Sequence, residues 1–477
     1  MVERSLGEAT AAMSGRLVAG DPAARFAGVA IDSRRTVDGN LFFALAGART
    51  HGHRFAADAL KRGAAAAVVE QAPEMAAGSG AFVRVANTLE ALHDLTRHVR
   101  RTVPRQLVAI TGSVGKTTTK ELLAAMLAGS FRTAKSPGNL NNLYGFPISL
   151  LGIDDDCAWM VAEMGMSTPG ELRAISLLGR PDVALLTNVR PAHLENFAHL
   201  DAIAEAKAEL LAGLPAHGLV VANGDDERVL RIAQRHPGRV VRFSVAGRGA
   251  CAEPDLVLEN LRPRPNGVTG TTFTLKSAEH QAVEVSLPLH GAYNAENALA
   301  AATCAHALGV SLEDIARRLR DVRPAAMRGI VAHLAQDVTL IDDTYNANPS
   351  AVERALEGLL ALPAARHVAV LGDMLELGAE SEVFHRQAGR TAAQLGSDLV
   401  VGVGARARAL VAAAAAEGSD NLWFADAQAA AAWVRSPTGP QPGDAVLVKG
   451  SRGVGLEVVT AALQQRFAPM PADGEGE

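Results

Sequence analysis

The sequence contains little cysteine, and its few cysteines are far apart. Cys157, Cys251 and Cys304 stand alone, with no CxxC spacing among them. This pattern suggests neither a disulfide framework nor a zinc site, since both use paired or closely spaced cysteines. A reducing compartment fits a chain of this kind.

Long apolar runs are also missing. No segment approaches the roughly 20 uninterrupted apolar residues that a membrane-spanning helix needs. The opening stretch MVERSLGEATAAM includes acidic side chains and lacks the apolar centre of a signal peptide. We therefore expect a soluble, cytoplasmic protein.

Basic residues are not in excess either. The formal net charge is -5 and the isoelectric point is near 6.3, so the chain lacks the excess of basic residues that is typical of nucleic-acid-binding proteins. Hydrophobic residues make up 48% of the chain and charged residues only 20%, which suits a well-buried α/β protein. Because 477 residues exceed what one hydrophobic core usually supports, several domains are expected.

Alternating strand and helix patterns predict three α/β units. Residues 1–85 form a small N-terminal unit, with strands predicted at 28–32 and 41–46. Residues 86–322 repeat strand-to-helix connections, which favour right-handed crossovers and a mostly parallel sheet, with antiparallel hairpins between about 255 and 289 at the sheet edge. Residues 323–468 form a third, Rossmann-like unit, and 469–477 is predicted to be a frayed tail.

The stretch VAITGSVGKTTTKELL passes from an apolar strand through a glycine-bounded turn into a predicted helix. This order of elements is typical of a phosphate-binding loop. Its backbone N–H groups bind phosphate oxygens, a lysine neutralises charge and a threonine hydroxyl ligates magnesium. The residues are Gly112, Ser113, Val114, Gly115, Lys116 and Thr117. The longer form of the motif has glycine where Ile110 stands, so this is a shortened variant, and the alternative is an ordinary glycine turn.

Polar residues follow two later apolar strands of the central unit. Glu163 lies in AEMGM and His193 in TNVRPAHLENF, and each stretch stands at the end of an apolar strand. Both residues are therefore expected at the carboxyl edge of the sheet, beside the phosphate loop, where they could bind magnesium. The alternatives are a helix-capping carboxylate and a surface histidine. Lys207 lies in a predicted helix, where a lysine is usually a solvated surface group.

Clusters of amides and charged groups mark the rest of the chain. Asn294 and Asn297 are three residues apart, hence on one helical face, where they could recognise a base or sugar or simply start the helix. Two strand ends of the third unit are unusually polar and predict a substrate-binding surface, although turn chemistry alone is the alternative. Their residues are Asp342, Asp343, Tyr345, Asn346 and Asn348, and Lys449, Ser451 and Arg452.

Taken together, these motifs resemble the Mur ligase family over nearly the whole chain. The matching stretches, in order, are DSR with GNLFFAL, TGSVGKTTTKE, GNLNN, EMG, TNV with AHLE, AKAEL, HGAYNAENALAA, MRG, DDTYNANPSA and LGDMLELG. The resemblance implies three domains: one that binds a UDP-muramoyl peptide, a central ATPase domain, and a C-terminal domain that closes over the site.

The resemblance also implies residue roles. Lys207 matches a carbamylated lysine that partners magnesium, and Thr117, Glu163 and His193 match the metal site; Lys116, Glu163, His193 and Lys207 are the expected catalytic set. ATP is expected to contact the phosphate loop together with Thr118, Asn294, Asn297, Arg328, Asp342 and Tyr345. The peptide substrates are expected at Ser33, Arg34, Asn139, Asn141, Asn142, Asn346, Asn348, Lys449, Ser451 and Arg452.

The acceptor is indicated by the loop YNANP. The DNPR-type signature of the branch that adds diaminopimelate is absent, since Asn346-Ala347-Asn348-Pro349 stands there. The resemblance therefore implies a monomeric, ATP- and magnesium-dependent ligase that joins D-alanyl-D-alanine to UDP-N-acetylmuramoyl-tripeptide through an acyl phosphate, giving a peptidoglycan precursor. The alternatives are another Mur-type or folylpolyglutamate-type ligase, and a non-catalytic nucleotide switch.

Overall fold

The structure is a computed structural model, and it describes residues 3–47, 50–71, 80–249, 251–265 and 268–468. The predicted frayed tail, 469–477, lies outside these residues. The described strands form three large sheets and one two-stranded ribbon. No helix in the described ranges is long and apolar enough to cross a membrane.

The N-terminal unit contains a ribbon of β1 and β3 and a five-stranded sheet in the order β2-β7-β6-β5-β4. Only the β2–β7 pair of this sheet is antiparallel. Strands occur where the sequence predicted them, near residues 28–32 and 41–46, but they are shorter. The elements are β1 Arg4–Ser5, α1 Leu6–Ala12, β2 Arg16–Ala19, β3 Arg25–Phe26, β4 Val29–Ala30, β5 Leu41–Phe43, α2 Ala56–Lys61, β6 Ala66–Val69 and β7 Phe82–Arg84. Helix α3, Thr88–Thr102, follows and leads into the central unit.

The central unit is a nine-stranded sheet in the order β16-β15-β14-β13-β12-β11-β8-β10-β9. It is parallel from β9 to β14, and β14 to β16 form the antiparallel edge that the alternating pattern predicted. Its elements are β8 Gln106–Thr111, α4 Lys116–Leu127, β9 Thr133–Lys135, α5 Gly145–Leu151, β10 Trp159–Glu163, α6 Glu171–Gly179, β11 Val183–Leu186, α7 Leu200–Ala208, β12 Leu219–Asn223, α8 Glu227–Ala233, β13 Arg239–Val245, β14 Leu256–Pro263, β15 Thr271–Ser277, β16 Ala282–Leu287, α9 Ala292–Ala307 and α10 Leu312–Leu319.

The C-terminal unit has six strands in the order β17-β18-β22-β19-β20-β21, of which only β17 is antiparallel to its neighbour. Its elements are β17 Ile330–Leu334, β18 Val338–Asp343, α11 Pro349–Leu360, β19 Arg366–Gly372, α12 Ser381–Leu395, β20 Leu399–Val403, α13 Ala407–Ala416, β21 Asp420–Phe424, α14 Ala427–Arg435, β22 Asp444–Lys449 and α15 Glu457–Arg466.

Strand β8 lies where the central sheet reverses its order. The chain leaves β8 for β9 and β10 on one side and then returns to β11 on the other. Loops at the carboxyl ends of such strands diverge and leave a crevice, which is where open α/β sheets bind ligands. Five of the six residues of β8 are buried, since the apolar run is covered on both faces by helices. The sequence therefore places its glycine-rich loop at the mouth of this crevice.

Three side-chain contacts join the central and C-terminal units around this crevice. Arg328 Nη2 donates to the Thr117 hydroxyl at 3.1 Å. The carboxylate of Glu296, on α9, accepts from Arg354 Nη1, on α11, at 2.6 Å. The His193 ring lies 2.7 Å from the carboxylate of Glu376. The crevice is thus a cleft between two units.

Candidate active site

The two glycines that bound the phosphate loop are required by its close packing. Gly112 has φ 154° and Gly115 has φ 86°. A Cβ added at Gly112 would lie 1.8 Å from Thr187 Oγ1, and one added at Gly115 would lie 2.2 Å from Asn297 Oδ1. Any larger residue would therefore force the loop away from its neighbours.

Helix α4 begins at this loop without a side-chain cap, because its first position follows Gly115. Most helices satisfy their first N–H groups with a capping side chain or water, and an uncapped start in a cleft leaves these donors for an anion. The loop is held from outside: Val114 N donates to Asn188 Oδ1 at 3.0 Å, and the Ser113 hydroxyl donates to the Arg190 carbonyl at 2.8 Å. The loop has the geometry that a phosphate cradle requires, and its binding of phosphate stays a prediction.

Lys116 supplies the positive charge of the cradle. Its Nζ donates to the carbonyl of Gly112 at 2.8 Å, so the side chain folds over the loop. Burial lowers the pKa of Lys116, while the charge of Glu163 acts in the opposite direction. A buried ammonium that costs solvation energy is expected where an anionic ligand will compensate for it.

Glu163 ends strand β10 and lies directly across from the start of α4. Its carboxylate accepts from the Thr117 hydroxyl at 2.7 Å and from the amide of Asn141 at 2.6 Å, and only 3% of Glu163 is exposed. It does not cap a helix, which was the alternative interpretation. The cleft thus holds a buried carboxylate and a hydroxyl side by side.

His193 is half-buried and lines the same cleft. Its ion pair with Glu376 of the C-terminal unit lowers the pKa of that carboxyl group. The sequence interpretation placed His193 near the phosphate loop but did not include Glu376. Because the two residues are 183 positions apart, only the packing of the two units could reveal the pair.

Lys207 is buried, with 3% of its surface exposed, so the interpretation as a solvated helical lysine is wrong. Burial, together with the nearby charge of Lys116, holds the pKa of Lys207 well below its ordinary value. Within the part of the chain that the structure describes, its amine has no hydrogen-bond or ion-pair partner. A lysine in such surroundings is a functional candidate, since no structural contact explains it.

The predicted nucleotide residues divide between two adjoining cavities. Asn297 lines the main cleft, whereas Asn294 lines a second cavity beside α4, where its amide donates to the carbonyl of His290 at 2.8 Å. Thr118 and Arg328 line both cavities. Arg328 also stacks over the ring of Tyr345, with its guanidinium carbon 3.9 Å from the ring centroid.

The polar strand ends of the C-terminal unit lie together, but only part of them faces the cleft. Asp343, Tyr345, Asn346, Asn348 and Lys449 line it. The Lys449 ammonium lies 2.6 Å from Asp343 and donates to the Asn346 carbonyl at 2.9 Å.

The remaining groups at these strand ends bind elsewhere. Burial raises the pKa of Asp342, whose carboxylate accepts from Thr344. The Ser451 hydroxyl accepts from Leu375 N at 2.9 Å, and Arg452 lies against Met327 with its guanidinium exposed. The polar side chain of Ser451 is therefore explained by its hydrogen bond within the loop, without a substrate.

The predicted peptide-binding residues also lie in two places. Asn139, Asn141 and Asn142 line the cleft. Ser33 and Arg34 lie in the N-terminal unit, where Arg34 pairs with Asp32 at 2.8 Å and is 82% exposed. Contact of those two residues with a nucleotide sugar stays a prediction.

Lys120 was missed by sequence reasoning, although it is fully buried. Its Nζ donates to the carbonyls of Ser136 at 2.7 Å and Gly138 at 3.1 Å, and the Ser136 hydroxyl in turn accepts from Glu163 N at 3.2 Å. The one feature that could have indicated its burial was its position four residues after Lys116, on the same face of a helix with few exposed residues. Lys120 positions the loop that carries Asn141.

Replacement of Lys120 by methionine should lower the free energy of unfolding by about 2–4 kcal/mol. The methionine side chain fills the space but leaves the buried carbonyl of Ser136, and the more exposed carbonyl of Gly138, without the Lys120 donor. Urea denaturation measures the change. Lys135→Met is the matched control, because Lys135 is 49% exposed and its pair with Glu121 is a surface contact. Equal losses in both variants would contradict the positioning role.

A phosphate cradle at the end of a parallel-sheet strand, facing a second α/β unit across a polar cleft, defines a multidomain P-loop nucleotide-binding protein. Three family descriptions match the chain in order: the Mur ligase family catalytic domain at residues 25–100, the Mur ligase middle domain at 110–305, and the Mur ligase glutamate ligase domain at 327–452. The chain belongs to the Mur ligase family, and the resemblance noted in the sequence is confirmed.

Relatives point to one branch of the family. The chain is 36% identical to the UDP-N-acetylmuramoyl-tripeptide–D-alanyl-D-alanine ligase of Escherichia coli, covering 98% of this chain and 99% of that protein. It is 35% identical to the ligase of the same name from Mycobacterium tuberculosis, covering 91% of each chain.

Solved structures agree with the three-unit α/β architecture. The crystal structure of MurF from Acinetobacter baumannii superposes with a TM-score of 0.85 at 31% identity, covering 98% of this chain and 99% of that chain. MurF from Thermotoga maritima, in complex with ADP, gives a TM-score of 0.79 at 27% identity, covering 92% of this chain and 97% of that one. The predicted fold class is confirmed.

Proposed function

We propose that this chain is an ATP-dependent ligase that joins D-alanyl-D-alanine to UDP-N-acetylmuramoyl-tripeptide. The observation that carries the proposal is full-length similarity to ligases of that name, combined with a phosphate cradle and the YNANP loop in one cleft. The product is a UDP-muramoyl-pentapeptide, a peptidoglycan precursor.

The two adjoining cavities support the proposed site for ATP. The uncapped start of α4 and Lys116 receive the phosphates. The second cavity, which shares Thr118 and Arg328 with the cleft, receives the base or sugar beside the amide of Asn294. Arg328, stacked on Tyr345 and bonded to Thr117, connects these two parts of the nucleotide site.

Magnesium fits the oxygen donors of the cleft. No three His, Cys, Asp or Glu side chains gather into a metal group within the described residues. The Thr117 hydroxyl and the Glu163 carboxylate, 2.7 Å apart, are hard oxygen donors of the kind that magnesium prefers, with His193 nearby as a further candidate. The ion would neutralise charge on the phosphates when bound.

Lys207 is the candidate for carbamylation. Only a neutral amine attacks CO2, and burial that lowers the pKa of Lys207 increases the neutral fraction at any given pH. The product carries a negative charge, which would compensate the nearby Lys116 and give the metal site another oxygen. Acidification opposes the modification, since protonation removes the reactive form.

The reaction requires activation, because a carboxylate is a poor acylating agent. The terminal carboxylate oxygen of the tripeptide attacks the γ-phosphorus of ATP, which releases ADP and forms an acyl phosphate. The acceptor amine then attacks the acyl carbon, and the tetrahedral intermediate expels phosphate while the nitrogen loses its proton. Lys116 and the α4 N–H groups offset the charge on the transferring phosphoryl group.

Water must be excluded while the acyl phosphate exists, since water would hydrolyse it. The contacts between Arg328 and Thr117 and between His193 and Glu376 join the central and C-terminal units across the cleft. They are suited to hold the cleft shut when both substrates are present.

The acceptor assay tests the proposed function. With UDP-muramoyl-tripeptide and magnesium-ATP supplied, D-alanyl-D-alanine should stimulate phosphate release and yield the pentapeptide product, as measured by mass spectrometry. Free glutamate, lysine and diaminopimelate should not substitute, because an acceptor without the matched groups leaves buried polar partners unpaired. If glutamate or diaminopimelate proved the better acceptor, the branch would be wrong while the ATP-dependent ligase would stand.

A further inference from the structure

An acceptor dipeptide carries a terminal carboxylate, which needs a cation when it enters a cleft. Two cations of the stretch KGSR, Lys449 and Arg452, were expected among the substrate-binding residues, but neither is available for this role in the cleft. Lys449 is 2% exposed and is neutralised by Asp343 at 2.6 Å. Arg452 is not among the cleft residues and lies near Glu457 instead, at 3.9 Å.

Other cations of the cleft are committed to other groups. Lys116 folds over the phosphate loop, and Arg328 stacks on Tyr345 and donates to the Thr117 hydroxyl. His193 is paired with Glu376 of the opposite unit. These groups surround the nucleotide, so a different cation must serve an acceptor that approaches from the YNANP loop.

Arg354 is placed to do so. Helix α11 begins directly after that loop, and Asn348, Ala351 and Arg354 line the cleft at a spacing of three residues, which puts them on one helical face. Ala347 lines the cleft beside them. Ala351 is part-exposed on this wall, whereas Ala347 is only 4% exposed and packs in the core of the C-terminal unit.

Glu296 holds Arg354 in place without using all of its donors. Its carboxylate binds Arg248 at 2.7 Å through one oxygen and Arg354 Nη1 at 2.6 Å through the other. Within the described ranges, Nε and Nη2 of Arg354 have no partner. The ion pair orients the Arg354 guanidinium before a ligand arrives, while two of its nitrogens remain available as donors.

The carboxylates behind Arg354 belong to a separate cavity. Asp225, Glu353 and Glu357 line that cavity with Arg354 and are not among the cleft residues. Asp225 is already bonded to Ser244 and to the amide of Val245. The side of Arg354 that faces the cleft is thus free for an anion.

We infer that Arg354 binds the terminal carboxylate of the acceptor dipeptide, while Ala351 packs against a methyl side chain of the dipeptide. This inference rests on the proposed function. An extended dipeptide spans about 7 Å, so its amine can reach toward the phosphate loop while its carboxylate stays on α11. The small side chain of Ala351 matches an acceptor built from alanine.

The test compares D-alanyl-D-alanine with its C-terminal amide, which lacks the charge. The parent enzyme should prefer the carboxylate form by about 10- to 100-fold in kcat/KM, the range expected for a charge-assisted hydrogen bond. Arg354→Gln should abolish this preference, chiefly by raising KM for the dipeptide, while KM for ATP stays unchanged. Arg354→Lys should retain part of the preference.

Two controls separate recognition from structure. Arg386→Gln removes an exposed arginine of α12 that pairs with Glu382 on its own helix, and it should leave the preference unchanged. Glu296→Gln removes the ion pair between the units but keeps Arg354, so most of the preference should remain. An Arg354→Gln variant that still prefers the carboxylate form as strongly as the parent would overturn the inference. A parent enzyme that makes no product with D-alanyl-D-alanine would instead refute the proposed function.

Discussion

Replacing Lys116 by alanine is expected to abolish ligation, with a loss of at least about 100-fold in kcat, because the variant lacks the charge that faces the transferring phosphoryl group. The fold should remain intact. Burial lowers the pKa of Lys116, which means that its ammonium opposes folding in the absence of a ligand, so its removal should change the free energy of unfolding by less than about 1 kcal/mol.

Steady-state phosphate release and thermal unfolding of the same preparation measure the two effects. Lys276→Ala is the matched control, since Lys276 lies in the antiparallel edge of the central sheet, away from the residues of the cleft. Undiminished turnover in Lys116→Ala would remove the phosphate-loop assignment. Loss of activity together with loss of the folded state would leave Lys116 as a structural residue.

Replacing Lys207 by alanine is expected to have the second large effect. The variant should lose most of its activity and recover part of it when a short carboxylate such as acetate or formate is added, because the small anion can occupy the position of the carbamate. The buried amine has no structural partner among the described residues, so the variant should fold.

Lys116→Ala is the matched control for the rescue, because a carboxylate cannot replace an ammonium group. Carbon-13 bicarbonate gives a direct readout: the parent should show a carbamate carbon signal that is absent from Lys207→Ala and that fades on acidification. Full activity of Lys207→Ala without any additive would show that Lys207 has no part in the reaction. A parent with no carbamate signal would contradict the modification itself.

The fold was largely predictable from the sequence where the local residue pattern agrees with the element that the chain forms. The strand β8 and helix α4 follow from a short apolar run, two glycines and a long apolar-rich segment that are contiguous in sequence. The antiparallel edge was equally clear, since its strands alternate with period two. The short N-terminal strands were overestimated, because apolar residues flanking β4 and β5 continue the pattern without continuing the sheet.

The candidate site was predictable in part. Glu163 and the phosphate loop follow apolar strands of the same parallel sheet, so their proximity follows from the alternation of strands and helices. Arg354, Glu376 and Lys120 were not predicted. A helical arginine, a loop glutamate and a helical lysine have the same local pattern whether they face solvent or a cleft.

The sequence by itself determined the class of chemistry, because a glycine-rich turn between a buried strand and a helix defines its own backbone geometry. Only the tertiary structure decided how the surrounding charges are used. Lys207 looks like a surface residue on its helix, yet packing encloses it beside Lys116. The KGSR lysine looks available, yet Asp343 neutralises it. The burial and pairing of a charge depend on residues far away in the chain, so they cannot be predicted from the local sequence pattern.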